Sequence, residues 1–83
     1  MVSVRWSVDA VRDLEDIEEM TSRRIVEKTQ WLEENFSTIS PERLRRDFKN
    51  SYKLRIGDYR VIYSVRSDVI VIEKVGHRRD VYK

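Results

Sequence analysis

Cysteine is absent from this chain of 83 residues, so disulfides, thiolate nucleophiles and cysteine-bound metals are all excluded. A single histidine, His77, leaves a multi-histidine metal centre without ligands, and no metal or other cofactor is expected. Only one proline and two glycines occur. They form no linker, and no internal repeat or low-complexity tract interrupts the chain, so residues 1–83 are expected to make one small domain. No apolar run approaches the roughly 20 residues of a membrane-crossing helix. The start MVSVRWSVDA also lacks the basic-then-apolar pattern of a signal peptide, which makes a cytoplasmic location with no membrane contact the default expectation.

Charge is plentiful: 39% of residues are charged against 40% hydrophobic, the balance of a folded and highly soluble protein. The net charge of +2 hides an asymmetry. Residues 1–42 carry 5 basic and 10 acidic side chains, whereas residues 43–83 carry 12 and 5. Such a division suits a protein with a basic side turned toward a polyanion, and it equally suits acidic helices packed beside a basic sheet.

The most informative stretch is YKLRIGDYRVIY, Tyr52 to Tyr63. Alternation predicts two strands joined at Gly57-Asp58, with Ile56 opposite Tyr59, Arg55 opposite Arg60, Leu54 opposite Val61 and Lys53 opposite Ile62. Lys53, Arg55 and Arg60 then share one face. Like charges directly opposite one another are unfavourable, so this pairing points to a bound polyanion; long basic side chains covering a solvated face are the alternative.

Val2 to Trp6 alternates as a first strand, and Ser7 suits a helix N-cap. Ala10, Leu14 and Ile17, with Val11 beside them, predict an amphipathic helix ending near Met20. Thr21 or Ser22 would cap a second helix to about Phe36, burying Ile25, Thr29, Leu32 and Phe36. Trp31 and Val26 lie off that stripe, to widen the core or serve a partner. Ser40-Pro41-Glu42 suits a short helical turn, and the basic run RLRRDFKNS follows it. Arg66-Ser67-Asp68 turns the chain into a last strand, VIVIEKV. With a tight turn Val75 would face Arg60 and Glu73 would face Ile62. Gly76 ends or bends the strand, leaving His77, Arg78, Arg79 and Tyr82 at the edge of the basic face. The expected fold is α+β, in the order βααβββ, with a mostly antiparallel sheet and a two-helix hairpin on one face.

YKLRIGDYRVIY followed by VGHRRDVY, after an acidic helix and a second helix, resembles the RelE/ParE superfamily of bacterial and archaeal toxins over essentially the whole chain. The resemblance to its RelE-like members implies the toxin of a type II toxin-antitoxin system, an endoribonuclease cutting messenger RNA in the ribosomal A site. It also implies a cognate antitoxin, RelB-like or similar, and a toxin-antitoxin heterotetramer as one assembly. The alternatives are a ParE-like poison of DNA gyrase and a catalytically inactive RNA- or protein-binding module.

Carried onto this chain, the RelE-like scheme implies catalytic roles for Arg60, Arg78 and Tyr82; His77, where some relatives have lysine, joins them as a candidate because other members of the superfamily use a histidine in the active centre. It implies RNA binding by Lys53 and Arg55, joined by Arg45, Arg46 and Arg79 from the neighbouring basic stretches. Arg55 stands where the motif commonly has lysine, which makes it a phosphate clamp rather than a proton acceptor. Metal-free cleavage needs a deprotonated 2′-hydroxyl, a stabilised phosphorane and a protonated leaving oxygen. Arg60 and Arg78 suit the second need. His77 and Tyr82 are the candidates for proton transfer, and Glu73 is the one carboxylate expected nearby.

Overall fold

The computed structural model describes residues 2–36, 42–43, 51–77 and 79. Strand β1 (Ser3–Trp6) runs directly into helix α1 (Val8–Glu15), because Ser7 serves both elements. Its backbone is extended at φ −69° and ψ 161°, and its hydroxyl accepts a bond of 3.0 Å from the Ala10 amide, as an N-cap should. That hydroxyl also donates to the Glu73 carbonyl, 3.0 Å away, while the Ser7 amide donates to the Ile72 carbonyl.

The expected continuation of this helix to Met20 is corrected. The chain leaves α1 at Asp16, and α2 (Glu19–Asn35) begins after Glu18, with Met20, Thr21 and Ser22 already inside it. Glu18 is the cap: its carboxylate accepts from the Met20 amide at 2.9 Å and from the Thr21 hydroxyl at 3.1 Å. Those bonds, the Met20 amide foremost, hold its carboxyl below the ordinary carboxylate value. Glutamate stands outside the usual set of capping residues, so the serine and threonine beyond it look like better caps in the sequence.

The remaining strands are β2 (Glu42–Arg43), β3 (Ser51–Ile56), β4 (Tyr59–Arg66) and β5 (Val69–His77). They form one sheet in the order β1-β5-β4-β3-β2, with β1 parallel to β5 and every other pair antiparallel. The α+β fold with both helices on one face is therefore as expected, with a fifth, two-residue strand added. Glu42, expected in a helical turn, instead pairs with Lys53, and Arg43 pairs with Tyr52. An edge strand offers backbone donors and acceptors in a row, and pairing with them outweighs a weak local turn preference.

Strands β3 and β4 pair in the expected register, with Arg55 opposite Arg60 and Lys53 opposite Ile62. Strand β5 departs from expectation. It follows the tight-turn register from Val69 to Ile72, which faces Tyr63, and then a bulge lets Lys74 rather than Glu73 face Ile62. Val75 consequently faces Val61, Gly76 faces Arg60, and the strand continues to His77. The cause is the order Ile72-Glu73-Lys74-Val75: without the extra residue, Lys74 would enter the core and Val75 would leave it. Helix α1 stabilises the irregularity from the side, because the Asp13 carboxylate accepts from the Val75 amide at 2.9 Å.

The core joins Ala10, Ile25 and Leu32 of the helices to Val61, Tyr63, Ile70, Ile72 and Val75 of the sheet. Leu54 packs at its margin, so the helices cover the side of Leu54, Val61 and Tyr63. Val11 does not join the buried stripe, being 44% exposed. Val26 is half-buried, and Trp31 stays 40% exposed with the Lys28 ammonium 4.0 Å from its ring centre.

Tyr63 is fully buried, stacked on Tyr52 at 5.5 Å, and its hydroxyl has no hydrogen-bond partner among the described residues. Burial, reinforced by Tyr52, pushes the phenol up to about 12. The neutral form is favoured in the folded state, so this stabilisation is complete below the unfolded value near 10 and lost as pH rises toward 12. Its size is about 3 kcal/mol. Tyr63→Phe is expected to leave stability at pH 7 within about 1 kcal/mol of the parent and to flatten the loss between pH 10 and 12, as read from urea midpoints across that range. An unchanged alkaline loss in the variant would assign that loss to other groups.

Candidate nucleic-acid interface

Side chains alternate between faces, so the registers of β3, β4 and β5 define what lies opposite the helices. One row across the sheet reads Arg55, Arg60, Gly76, and the next reads Lys53, Ile62, Lys74. Arg5 of β1 shares this face, beside Val71. Arg55 and Lys74 are exposed and Lys53 is half-buried. Arg5, Arg55, Arg60 and Lys74 have no carboxylate within ion-pair distance among the described residues.

Arg60 is the least accessible of these cations, at 8% exposure. Its Nη1 donates to the Gly57 carbonyl at 3.2 Å and to the Tyr59 carbonyl at 3.1 Å, so the guanidinium is folded back onto the hairpin turn. Gly57 has φ 59°, a left-handed conformation that glycine takes without strain and that aims its carbonyl for this bond. No described residue accepts from Nη2 or Nε of Arg60, which carry three of its N–H groups. Gly76 opposite contributes no side chain to obstruct them.

The structure does not bring His77 to this face, which corrects its expected position. The bulge moves every residue after it across the sheet, and His77 pairs with Tyr59 on the helix side, their rings edge to face at 5.6 Å and 78°. Its Nδ1 accepts from the Arg79 amide at 3.3 Å. Beside it a cavity of about 310 Å³ is lined by Asp13, Asp16, Ile17, Tyr59 and residues 74–77. Arg79 is exposed, whereas Arg45, Arg46, Arg78 and Tyr82 lie outside the described residues. Among the described residues, no three histidine, cysteine or carboxylate side chains are grouped to hold a metal, and no helix is long and apolar enough to cross a membrane.

A sheet with this strand order, helices on one face and cations on the other can be compared with known proteins. The family model for the ParE toxin of the type II toxin-antitoxin system parDE matches residues 4–82. The chain belongs to the RelE/ParE toxin superfamily. Among solved structures, this toxin is similar to a chain of the toxin-antitoxin complex RelBE2 from Mycobacterium tuberculosis, at 28% identity and a TM-score of 0.82, covering 93% of this chain and 98% of that one. The intact RelBE complex of E. coli gives 18% identity and a TM-score of 0.76, with 93% and 96% covered. The chromosomal ParDE system of P. aeruginosa gives 16% and 0.75, with the same coverage. At those lower identities the likeness shows the fold alone. A search of the curated proteins found no match.

Sequence reasoning passed over Lys74 in this toxin. Its signal was present, since two consecutive polar residues between Ile72 and Val75 break strict alternation and mark a bulge. Arg60 and Arg55 should also differ in what they do for the fold. Arg60→Ala removes two charge-assisted bonds to the turn and is expected to cost about 1.5–3 kcal/mol, visible as a fall of several degrees in Tm, whereas Arg55→Ala stays within about 0.5 kcal/mol. Equal melting temperatures for the two variants would show that the Arg60 bonds to the turn contribute nothing to stability.

Proposed function

We propose that this protein is the toxin of a type II toxin-antitoxin pair and cleaves messenger RNA in the ribosomal A site without a metal. The observation that carries the reading is the Arg55–Arg60 pair on the sheet face away from the helices. Two guanidiniums directly opposite each other repel, and a phosphodiester between them converts the repulsion into two attractions. Arg60 is held by the Gly57 and Tyr59 carbonyls before any ligand arrives, so its guanidinium needs little reorganisation as charge develops on a phosphorane. Lys53 and Arg55 would hold the RNA backbone, with Arg45, Arg46 and Arg79 as outer contacts.

Arg78 and Tyr82 enter from the family motif, Arg78 as a second phosphate donor and Tyr82 as the proton-transfer group. His77 is set aside from that step because it packs on Tyr59, across the sheet from Arg60. An antitoxin with an amphipathic, partly helical segment would cover the toxin and add acidic or apolar contacts near the basic face. The relatives found in RelBE complexes support such a partner, and a heterotetramer is one assembly it allows.

The ParE description of the matching family model supports a second reading, a toxin acting on DNA gyrase. An inactive RNA- or protein-binding module is the third. Purified toxin is expected to cut messenger RNA on translating ribosomes, to leave the free transcript intact and to leave gyrase supercoiling unaffected. In single-turnover cleavage, Arg60→Ala should lose roughly a hundredfold in rate, about 3 kcal/mol of transition-state stabilisation, and Tyr82→Phe should lose a comparable factor. His77→Ala should keep its rate and pH profile. Inhibition of gyrase with no cleavage would replace this reading by the second, and a full cleavage rate in Arg60→Ala would remove the phosphate role.

A further inference from the structure

We infer that Lys74 is a backbone-phosphate contact for single-stranded RNA, brought onto the cationic face by the bulge at Glu73. This rests on the nucleic-acid reading of that face and adds a residue to it. Three observations combine. The register puts Lys74 opposite Ile62, whose other neighbour is Lys53, so two lysines flank one buried isoleucine in a single row. Two inter-strand spacings separate the lysine backbones, about 10 Å, far enough for their ammoniums to meet different phosphates of one strand. Lys74 is exposed and pairs with no carboxylate among the described residues, although it also borders the cavity lined by Asp13 and Asp16.

The bulge makes this arrangement. In a regular strand the row would read Lys53, Ile62, Glu73, and a carboxylate would stand where the ammonium does. Val75 would then face Arg60 in place of Gly76, narrowing the approach to the guanidinium. The extra residue thus puts a lysine beside the site and a glycine across from Arg60. The Ser7 hydroxyl on the Glu73 carbonyl and the Asp13 carboxylate on the Val75 amide hold the backbone on either side of Lys74. The contact expected is to phosphate rather than to a base, because an ammonium on a flexible stem acts as a point charge without a planar hydrogen-bond pattern.

Binding of the purified full chain to a 2′-O-methyl RNA oligonucleotide, which offers the same phosphates and cannot be cut through its 2′-oxygen, tests the inference across a series of salt concentrations. Lys74→Gln is expected to weaken binding at low salt and to reduce the slope of log K against log salt by about 0.7, the value for one phosphate contact on a single strand. Lys74→Arg should keep the parent slope, and so should Arg12→Ala on the helix side. Lys53→Gln is the reference for the face, and amide spectra confirm that each variant keeps the Arg60–Gly76 pairing. A parent slope in Lys74→Gln beside a reduced slope in Lys53→Gln overturns the inference and leaves the reading of the face standing. Parent slopes in both overturn the inference together with the RNA reading of this face.

Discussion

One surplus residue in β5 sets the relation between the core and the opposite face. Ile72 and Val75 both belong inside, yet two polar residues separate them where strict alternation allows one. The chain resolves the conflict by bulging, which sends Val75 into the core, turns Lys74 and Gly76 outward and carries His77 to the side of Tyr59. A bulge interrupts the ladder and strands backbone groups, which would weaken the strand if nothing replaced the missing bonds. Beyond Trp6, where pairing with β1 stops, Ser7 and Asp13 bond the β5 backbone at Glu73 and Val75, one from the cap of α1 and one from its second turn. The capping residue that starts the first helix therefore also fixes the strand bearing Lys74.

Arg60 shows a second economy of the same kind. A guanidinium with 8% exposure has lost most of its contact with water, and desolvating a cation is costly unless dipoles take the place of that water. The Gly57 and Tyr59 carbonyls do so through one nitrogen, leaving the rest of the fork without a protein acceptor among the described residues. Arg55 lies directly across the strand pair and adds like charge. The pair is thus better suited to an anion than to water alone, and it keeps that orientation without one. An exposed arginine on a loop would have to give up side-chain freedom on binding; Arg60 has already done so in folding.

The sequence made some of this legible and hid the rest for physical reasons. Alternation and a Gly57-Asp58 turn were enough to predict the β3–β4 register, because a two-residue loop fixes which residues face each other. The same alternation assigned Val61 and Tyr63 to the core and Arg60 to the opposite face. It failed past Ile72, where a shift of one residue reverses every later assignment, His77 included. The break between the helices was expected near Met20 rather than at Asp16 to Glu18 because Glu18 caps with a side chain the usual rules disfavour. The fold of Arg60 onto the turn carbonyls has no linear signature, since side-chain-to-backbone bonds depend on a conformation rather than a residue pattern.

The division of charge along the chain left two arrangements open, acidic helices neutralising a basic sheet or acidic and basic groups held apart. The described residues favour the second. The described ion pair, Arg23 with Glu19 at 3.5 Å, lies within α2 and joins nothing across the layers, and both side chains are solvent-exposed. The helices lie on the Val61 and Tyr63 side of the sheet, while Arg55, Arg60 and Lys74 lie on the other, without carboxylate partners among the described residues. Among the described residues the apolar core therefore separates the carboxylates of the helices from Arg55, Arg60 and Lys74. A polyanion approaching the face of Arg55, Arg60 and Lys74 would meet cations set apart from the helix carboxylates, and such an encounter would be sensitive to salt.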